Sequence, residues 1–577
     1  MKLSIRYVLF IFLFVTCIAS YYSSIHHDFT QLDDQVQVVN NEAIRKINFV
    51  NLKAIFSSTS VGMYQPLTTS FYAIIYTIFG KEAIGFHWAA LILHLMNGFL
   101  VFKLLHKLKQ KWDLSYFLCA LFLLHPLQVE SVAWVSAFSN ICFSFFYLLG
   151  LIQYVNFKEQ MHKKHYYFSL LFFVLSLLAK PSAVTLPLLL IALDFFYDSR
   201  FSLKLFIQKI PFFLLSILFG LVTLQTRETA GHLSDLSQSF GFLDRIVLIA
   251  YSILFYPFKF ILPVNLSAFY PYPTLTNNHL PYLYYFTVPL VLLITYLLYR
   301  FRSNKLLILG ALFYSLSISV TLQIVAVGNQ LTTDRYIYLP MIGLLIMAAS
   351  LIRAKPKIIW ISTAILGFTL ATKTTLRSQV WKNDQFIWED VLQKYPDVAQ
   401  AHNNLGSYLL EKKGQSQSAF KHFNKAIELK PYYADAYSNR GNLFSQMGNS
   451  EKAIADFNQA IQLRPHADAF FNRANEKAKL GQFNDAIADY TASIQLKASP
   501  DAYTNRAFAY LRSAKIQKAQ QDLDFVINQF PNFAQAYFLK GMIAQQNQQS
   551  NQACFLFKQA AGKGHEKAKQ ALKQLCN

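Results

Sequence analysis

Several ionisable and amide side chains lie inside or at the ends of strongly apolar stretches. They are His87, His94, Asn97, His125, Glu130, Lys180, Asp194, Asp334 and Arg335. Polar groups at membrane depth are costly, so they usually pair with one another or line a cavity. Many of these residues stand near the same ends of the stretches. Their types and positions therefore predict a polar cavity that opens at one side of a membrane.

A short acidic segment follows the first apolar stretch and contains Asp33 and Asp34, then Asn40, Asn41 and Glu42. A carboxylate can accept a proton from a reacting hydroxyl. Adjacent carboxylates can also hold a divalent ion, and they can simply be solvated at a membrane surface. The local sequence leaves these three readings open.

His87 and His94 are seven residues apart, which places both on one helix face together with Asn97. No third ligand is spaced to complete a metal site, so none is assigned. Cys554 and Cys576 could pair in an oxidising compartment, although the five cysteines show no framework spacing. The motifs typical of hydrolases and nucleotidases do not occur.

The elements that must position these residues are membrane helices. Of the 577 residues, 54% are hydrophobic and 15% are charged, whereas soluble domains carry about 25% charged residues. A polar composition begins near residue 373. The sequence thus predicts a membrane domain over 1–372, a linker or helix over 373–399 and a repeat domain over 400–577. Basic loops between apolar stretches explain much of the net charge of +22, so nucleic acid is not expected as a partner.

About eleven apolar stretches approach the length of a transmembrane helix. They lie near 5–22, 86–105, 114–126, 139–157, 166–180, 182–197, 210–225, 284–299, 306–326, 338–352 and 357–372. The basic loops fall on one side if the N-terminus is cytoplasmic and all eleven stretches cross. The repeats then lie outside, in the periplasm if the chain is a bacterial plasma-membrane protein.

Three of the segments that this topology places outside matter here: the first outer loop (23–85), a large outer loop (226–283) and residues 327–337. Residues 243–262 are apolar and long enough to span, but a crossing there would reverse the side of the next basic loop. They are therefore interpreted as an interfacial or re-entrant helix. Residues 5–22 are interpreted as an uncleaved span.

Five similar blocks recur after residue 400, separated by 35, 33, 33 and 34 positions. They are AHNNLG (401–406), AYSNRG (436–441), AFFNRA (469–474), AYTNRA (502–507) and AYFLKG (536–541). This period, with small and aromatic residues at fixed places, is typical of tetratricopeptide repeats. Such repeats stack into a superhelix with a concave groove.

An asparagine recurs at one position of the first helix in four of these blocks. The four are Asn404, Asn439, Asn472 and Asn505. In similar arrays this position faces the groove and can bind a peptide backbone. The alternative, that the asparagines pack between repeats or are solvated, has equal weight. The groove predicts a protein or peptide partner.

Six segments carry a resemblance to a known family, and they occur in that family's order. They are LDD (32–34) with Asn40, YQPLT (64–68), FH (86–87) with His94 and Asn97, HPLQVESVAWVS (125–136), AKPSAVTLP (179–187) and TDRYIYLP (333–340). The set resembles the transmembrane and tetratricopeptide-repeat O-mannosyltransferases and their bacterial relatives. The resemblance implies an all-α fold, in which a polytopic GT-C-type bundle precedes a tetratricopeptide solenoid.

The resemblance also implies a chemistry. Such enzymes pass a sugar, such as mannose, from a polyprenyl-phosphate carrier to an acceptor hydroxyl at the outer face, with inversion, and the resemblance implies that the acceptor is a protein. A carboxylate of the first outer loop is the general base, which corresponds to Asp33 or Asp34. Lys180, Arg335 and His125 are the expected donor-phosphate ligands. Asn40, His87, His94 and Glu130 are the expected pocket residues.

Three of these residues also have a structural reading. Arg335 can pair with Asp334, Lys180 can cap a helix broken by Pro181, and Glu130 can orient His125. Two features depart from the family's pattern. Gln65 stands where an arginine is usual, and residues 137–140 lack the basic residue that often follows Trp134-Val135-Ser136.

A different class of function fits the same layout. A non-catalytic membrane anchor that presents the repeats as an assembly platform would need the asparagine ladder but not the aspartates. A transporter is less well supported, because no paired interrupted helices indicate inverted repeats. The sequence identifies neither the sugar, the carrier and the acceptor nor any cofactor beyond the lipid-linked donor.

Overall fold

The computed structural model describes residues 3–197, 203–229, 240–277, 279–322 and 330–576. These residues form two compact units, Met1–Tyr395 and Pro396–Asn577. Parts of the predicted loop 226–283, of the basic loop 200–209 and of the segments 306–326 and 327–337 lie outside the described residues. The all-α prediction with repeats at the C-terminal end is confirmed.

The described residues of the first unit form eighteen α-helices and one small sheet. The helices are α1 Leu3–Tyr21, α2 Phe49–Ser57, α3 Pro66–Phe79, α4 Ala83–Lys107, α5 Trp112–Leu124, α6 Val129–Ala133, α7 Phe138–Gln160, α8 Lys163–Ala179, α9 Leu186–Tyr197, α10 Leu203–Ile207, α11 Ile210–Thr229, α12 Phe242–Ile261, α13 Tyr282–Tyr285, α14 Thr287–Arg300, α15 Lys305–Ser319, α16 Met341–Leu351, α17 Pro356–Ser378 and α18 Asp384–Lys394. Strands β1 (Tyr270–Pro271) and β2 (Gln330–Thr332) pair antiparallel, with Tyr270 opposite Thr332. Every one of the eleven predicted stretches contains a helix.

Six helical segments among the described residues are long and apolar enough to cross a bilayer. They are Ser4–His26, Ala83–Lys107, Val135–Gln160, Leu205–Arg227, Tyr282–Arg300 and Pro356–Trp381. A seventh exists if Trp112–Leu124 and Pro126–Ala133, which meet at 49°, form one broken span. The first unit is therefore a membrane unit with several spans.

The other predicted spans correspond to shorter helices. Pro181–Tyr197, Lys305–Ser319 and Met341–Leu351 are apolar but fall below full spanning length, and so does Pro66–Phe79, which was not predicted as a span. Proline ends two further helices, α5 and α8, before full spanning length. It removes a backbone donor and disfavours helical backbone at the residue before it, so α5 ends at Leu124 before Pro126 and α8 ends at Ala179 before Pro181.

The core of the membrane unit surrounds α7, whose apolar window is 83% buried, whereas that of Tyr282–Arg300 is 0% buried. Helices α15 and α16 cross at two glycines. A Cβ atom on Gly310 would lie 2.6 Å from the Met347 nitrogen, and one on Gly343 would lie 2.4 Å from the Tyr314 nitrogen. Only glycine permits backbones to approach this closely.

Helix α12 covers the stretch 243–262 that was interpreted as interfacial. Leu248, Phe255 and Tyr256 are buried along one face, whereas Leu243 and Ile261, on another face, are 72% and 74% exposed. A helix with one buried and one exposed apolar face is compatible with a position at the membrane surface. Its location relative to the bilayer stays a prediction.

The second unit contains five helix pairs and a final single helix. They are α19 Ala399–Lys413, α20 Ser416–Leu429, α21 Ala434–Gln446, α22 Ser450–Leu463, α23 Ala467–Lys479, α24 Phe483–Leu496, α25 Pro500–Arg512, α26 Ile516–Gln529, α27 Ala534–Gln546, α28 Ser550–Gly562 and α29 Glu566–Leu575. The recurring glycine has a packing reason, because a Cβ atom on Gly441 would lie 2.8 Å from the Phe457 ring. Gly406 and Gly541 face Phe423 and Phe557 in the same way.

The final helix is joined covalently to the one before it. Cys554 of α28 and Cys576 at the end of α29 form a disulfide. The sequence left this pairing open because its spacing matches no known framework. Alanines of both helices and Phe557 form a small core beneath the disulfide, so α29 closes the end of the repeat stack.

Candidate active site and repeat groove

Asp34 is a buried anchor of the first outer loop. Its Oδ2 accepts hydrogen bonds from the Thr30 backbone nitrogen at 2.9 Å and the Thr30 hydroxyl at 3.0 Å. Its Oδ1 accepts from the Ser136 backbone nitrogen at 2.9 Å and from the Ser136 hydroxyl. Burial raises the pKa of Asp34, and these hydrogen bonds oppose the rise. A carboxylate that already binds four donors has little capacity to accept a proton from a substrate.

Asp33 lies in a different environment from Asp34. It is half-buried, and its backbone oxygen accepts the Val36 and Gln37 N–H groups at 3.1 and 2.9 Å where a single π-helical turn begins. Its carboxylate interacts electrostatically with Lys180 and Arg335. Of the two predicted aspartates, Asp33 is therefore the one that faces cations.

Arg335 is held by Glu130 rather than by Asp334. Glu130 is 1% exposed. One of its oxygens accepts the Arg335 backbone N–H at 2.9 Å, and the other pairs with the Arg335 guanidinium. The guanidinium also lies 5.0 Å from the Trp134 ring centre. Burial disfavours the charge, but Glu130 outweighs it, so the pKa of Arg335 is raised. The alternative that Glu130 orients His125 is wrong.

Lys180 directly follows the proline-induced end of α8. The Thr68 hydroxyl donates to the freed Ala179 carbonyl at 2.8 Å, so the Lys180 side chain is not needed as a cap. Lys180 Nζ instead donates to Asn140 Oδ1 at 2.6 Å. Asn140 is thus a neutral partner of Lys180, and it lies in the segment 137–140, where the family often carries a basic residue.

Arg227, in the last turn of α11, is a third cation that the sequence analysis did not select. It is half-buried, and it interacts electrostatically with Lys180 and Tyr336. A single arginine at the predicted outer end of an otherwise apolar stretch was the available signal. We call Lys180, Arg227 and Arg335 the cation cluster. Gln65, where the family carries arginine, instead bonds the Gln37 side chain at 3.4 Å.

His125 has a structural position, contrary to its predicted role as a phosphate ligand. Its Nδ1 accepts the Leu127 backbone N–H at 3.2 Å, and its Nε2 donates to the Phe260 carbonyl at 3.0 Å. The imidazole also stacks on the Phe260 ring, with centroids 5.4 Å apart. Both ring nitrogens are therefore occupied within the protein, where they stabilise the turn after α5.

His94 and Asn97 join helices. His94 Nδ1 bonds the Tyr338 hydroxyl at 2.8 Å, and its Nε2 bonds the Leu123 carbonyl at 3.2 Å. The Asn97 amide donates to the same Tyr338 hydroxyl and to the Ile141 carbonyl, both at 3.0 Å. All these contacts are internal, so the predicted pocket role of His94 is not supported by its position.

His87 contacts the first outer loop, and Asn40 lies within it. His87 is buried and its Nε2 bonds the His27 carbonyl at 3.2 Å. Asn40 is exposed and ends the π-helical turn that follows Asp34. Among the residues that the structure describes, no group of three or more His, Cys, Asp and Glu side chains could hold a metal ion.

The asparagine ladder of the second unit both packs between repeats and lines the groove. Asn439, Asn472 and Asn505 each donate across to the preceding repeat, to Asn403, Asn442 and Asn475, at 2.9, 2.9 and 3.0 Å. Asn472 and Asn505 line a pocket of about 410 Å³, and Asn439 lines one of about 270 Å³. Asn404 stands at the beginning of the stack and accepts from Asn403 at 3.1 Å. The two alternatives are therefore compatible.

Comparison with protein families finds the repeats. A model described as Tetratricopeptide repeat matches residues 434–466 and another of that description matches 467–500, while one described as TPR repeat matches 408–448. The crystal structure of MamA shares 22% identity at a TM-score of 0.26, covering 28% of this chain and 96% of that one. YrrB, titled a TPR protein with an unusual peptide-binding site, shares 20% identity at a TM-score of 0.29, covering 32% and 97%.

One curated relative matches most of the chain, and a second matches a fifth of it. Protein O-mannosyl-transferase F38B6.6 of Caenorhabditis elegans is 25% identical over 438 residues, which cover 72% of this chain and 62% of the worm protein. Protein O-mannosyl-transferase TMTC1 of Mus musculus is 26% identical over 122 residues, covering 20% and 13%. The chain thus spans about 62% of the length of the worm relative. The resemblance read from the motifs is confirmed.

Proposed function

We propose that the protein is a membrane glycosyltransferase that moves a sugar from a polyprenyl-phosphate carrier to an acceptor hydroxyl. One observation carries the proposal: Asp33, in the first outer loop, interacts electrostatically with Lys180 and Arg335, two members of the cation cluster. A proton acceptor beside a group of cations suits a reaction that deprotonates an alcohol and releases a phosphate. The names of the two relatives support the same activity and favour mannose as the sugar.

The charges suit a singly charged phosphodiester donor. Lys180 interacts with Arg335 and Arg227 as well as with Glu130 and Asp33, so three cations face two carboxylates. The phosphodiester of a lipid-linked sugar carries one negative charge, which these cations would neutralise. Since Glu130 holds Arg335 by two contacts, the guanidinium is oriented before the donor arrives.

The reaction follows from these positions. The acceptor oxygen attacks the anomeric carbon while its proton passes to the Asp33 carboxylate. The bond between that carbon and the phosphate oxygen breaks, and both electrons leave with the polyprenyl phosphate. The cation cluster stabilises the additional negative charge on this leaving group. Direct displacement inverts the configuration of the sugar.

The repeats complete the proposed function by recruiting the acceptor. Amide side chains along the groove have hydrogen-bonding capacity that suits the backbone of an extended peptide. We place the repeats and the first outer loop on the non-cytoplasmic side, in a bacterial plasma membrane. The disulfide between Cys554 and Cys576 supports this side, because disulfides persist in oxidising compartments.

The test is sugar transfer by the purified full-length protein in lipid vesicles. A panel of radiolabelled polyprenyl-phosphate sugars serves as donors, and a cell extract serves as acceptor. We expect Asp33→Asn to abolish transfer, and Glu42→Gln to leave it unchanged. Glu42 is a matched control because it lies in the same loop with its side chain 88% exposed. Equal activity of wild type and Asp33→Asn would refute the role of Asp33.

The membrane-anchored scaffold remains the second candidate, favoured by the asparagine ladder. It predicts that no donor binds and that partner capture depends on the asparagine ladder but not on Asp33. Binding of a lipid-phosphate sugar, weakened by Arg227→Gln, would exclude a purely structural membrane unit. Absence of donor binding, with intact capture by the groove, would replace the enzyme proposal by the scaffold.

A further inference from the structure

The segment after the last long span folds back onto the first outer loop. Sequence composition predicts a linker or helix over residues 373–399, and residues 384–394 form helix α18 within the membrane unit. Asp384, in the first turn of α18, is 2% exposed. Both of its carboxylate oxygens accept the Gln31 backbone N–H, at 2.8 and 3.0 Å. The Asp28 N–H also donates to the Lys382 carbonyl at 3.2 Å.

Asp33 thus lies between two residues, Gln31 and Asp34, that are both held by hydrogen bonds. Two residues before it, the backbone is fastened to Asp384, and one residue after it, Asp34 is fastened to Thr30 and Ser136. A peptide unit held on both sides has few alternative conformations, so the direction of the intervening side chain is restricted. The contact with Asp384 spans 353 residues of sequence.

The end of α17 and helix α18 also contact the part of the chain that carries Arg335. Arg377, near the end of α17, faces the Asp334 carboxylate at 3.9 Å and donates to Asp390 of α18 at 2.9 Å. The Tyr270 hydroxyl donates to the other Asp334 oxygen at 2.8 Å. Lys394 of α18 pairs with Asp390 and donates to the Leu266 carbonyl at 2.5 Å.

We propose that Arg377 and Asp384 are positioning residues that hold the two halves of the site in register. Asp384 acts through Gln31 on Asp33, and Arg377 acts through Asp334 on Arg335. Neither needs to touch a substrate. This inference rests on the proposed function for its consequence in catalysis, whereas its structural content concerns only these contacts.

The two halves come from opposite ends of the membrane unit, so their separation depends on the elements between them. A displacement of about 1 Å between a base and a reacting group costs roughly 100-fold in rate. Helices α17 and α18 contact both halves and are continuous except for one short turn. The positions of both Asp33 and Arg335 therefore depend on these two helices.

The test combines hydrogen–deuterium exchange with kinetics on the full chain. We expect Asp384→Ala to raise exchange over residues 28–37 and to lower kcat by roughly 10- to 100-fold, with little change in the donor KM. Asp384→Glu should restore part of both losses. Glu389→Ala, an exposed carboxylate on the same helix, is the matched control and should change neither.

Arg377 gives the complementary result. Arg377→Gln should raise exchange over the described residues 330–338 and weaken donor binding, which is seen as a higher donor KM. Arg377→Lys should restore part of the protection from exchange and part of the donor binding. Unchanged exchange in both segments would overturn the inference, and so would an increase spread evenly over the membrane unit. If the wild type transferred no sugar, the exchange results would still decide the positioning contacts, so the two failures are distinguishable.

Discussion

Neighbouring aspartates in the first outer loop meet opposite surroundings, although one sequence motif contains both. Asp34 accepts four hydrogen bonds from Thr30 and Ser136 and is 1% exposed. Asp33 is half-buried and faces cations. A buried, fully bonded carboxylate stabilises the fold, whereas a partly accessible one beside cations can act on a substrate. The proposed mechanism therefore assigns the chemistry to Asp33 and leaves Asp34 to hold the loop.

Substituting each aspartate by asparagine should separate these roles. Asp34→Asn places an amide N–H group against donors, so we expect a loss of about 1–3 kcal/mol in the free energy of unfolding. Asp33→Asn should leave the unfolding temperature unchanged and lower transfer by roughly 100- to 10,000-fold. Thermal unfolding in detergent and the transfer assay measure the two effects. The reverse pattern would assign the chemistry to Asp34.

Glu476 makes the stability of the repeat unit depend on pH. It is 1% exposed and accepts from Ser445, Ser450 and Lys479. Burial alone would raise its pKa, but the hydrogen bonds outweigh burial and lower the pKa below the ordinary 4.5. A carboxyl with a lowered folded-state pKa contributes stability above its unfolded pKa and loses it as pH falls through the folded value.

We therefore expect the repeat unit to unfold more easily as pH falls below about 4.5. Chemical unfolding of the full chain, followed by the repeat unit's circular dichroism, measures the effect. The Glu476→Gln protein should be less stable at neutral pH and should show a shallower loss on acidification. Parallel curves for the two proteins would contradict this role of Glu476.

The middle repeats share an element that the end repeats lack. An arginine beside the ladder asparagine pairs through two hydrogen bonds with an aspartate of the second helix. The pairs are Arg440–Asp456, Arg473–Asp489 and Arg506–Asp522. At the corresponding places, the first block has Leu405 and the last has Lys540, which instead pairs with Asp524. Bidentate pairs fix the angle between the two helices of a repeat.

These bridges should differ in their contribution to stability. Removing Arg506 leaves Asp522 nearly buried without its cation, whereas Asp489 keeps Lys477 at 2.8 Å when Arg473 is removed. We expect Arg506→Gln to lower the free energy of unfolding of the repeat unit by about 3 kcal/mol, and Arg473→Gln to lower it by less. Chemical unfolding of both variants checks the order, and an equal loss would contradict it.

At the scale of the whole molecule, several spans precede a repeat unit that carries a disulfide. A membrane fixes the side on which each loop lies, and the chain's basic loops and its disulfide favour the same assignment. The three remaining cysteines are buried, so a cysteine introduced at the surface is the main target of a membrane-impermeant maleimide.

The proposed orientation predicts a labelling pattern in intact cells. Glu42→Cys in the first outer loop and Lys497→Cys in the repeats should react directly. Lys163→Cys, in a predicted cytoplasmic loop, should react only after permeabilisation. Gel shift with the maleimide reagent measures each reaction. Labelling of Lys163→Cys in intact cells, with protection of Lys497→Cys, would reverse the orientation.

Local patterns determined the helices and the repeats. Eleven apolar stretches were recognised because hydrophobic length is a property of contiguous residues, and the repeats were recognised because each unit must bury the same face. Short motifs also led to Asp33, Glu130, Lys180 and Arg335. The number of full-length spans could not be read in this way, since proline ends two helices early and other apolar stretches form helices too short to span.

Only the tertiary structure decided which side chains meet. Glu130 and Arg335 are 205 residues apart, Gln31 and Asp384 are 353 apart, and Arg227 belongs to no motif. His125 satisfies both of its ring nitrogens within the protein, and a sequence motif does not reveal this. A residue type states which bonds a side chain can form. The packing of distant helices determines which of those bonds remain available for a substrate.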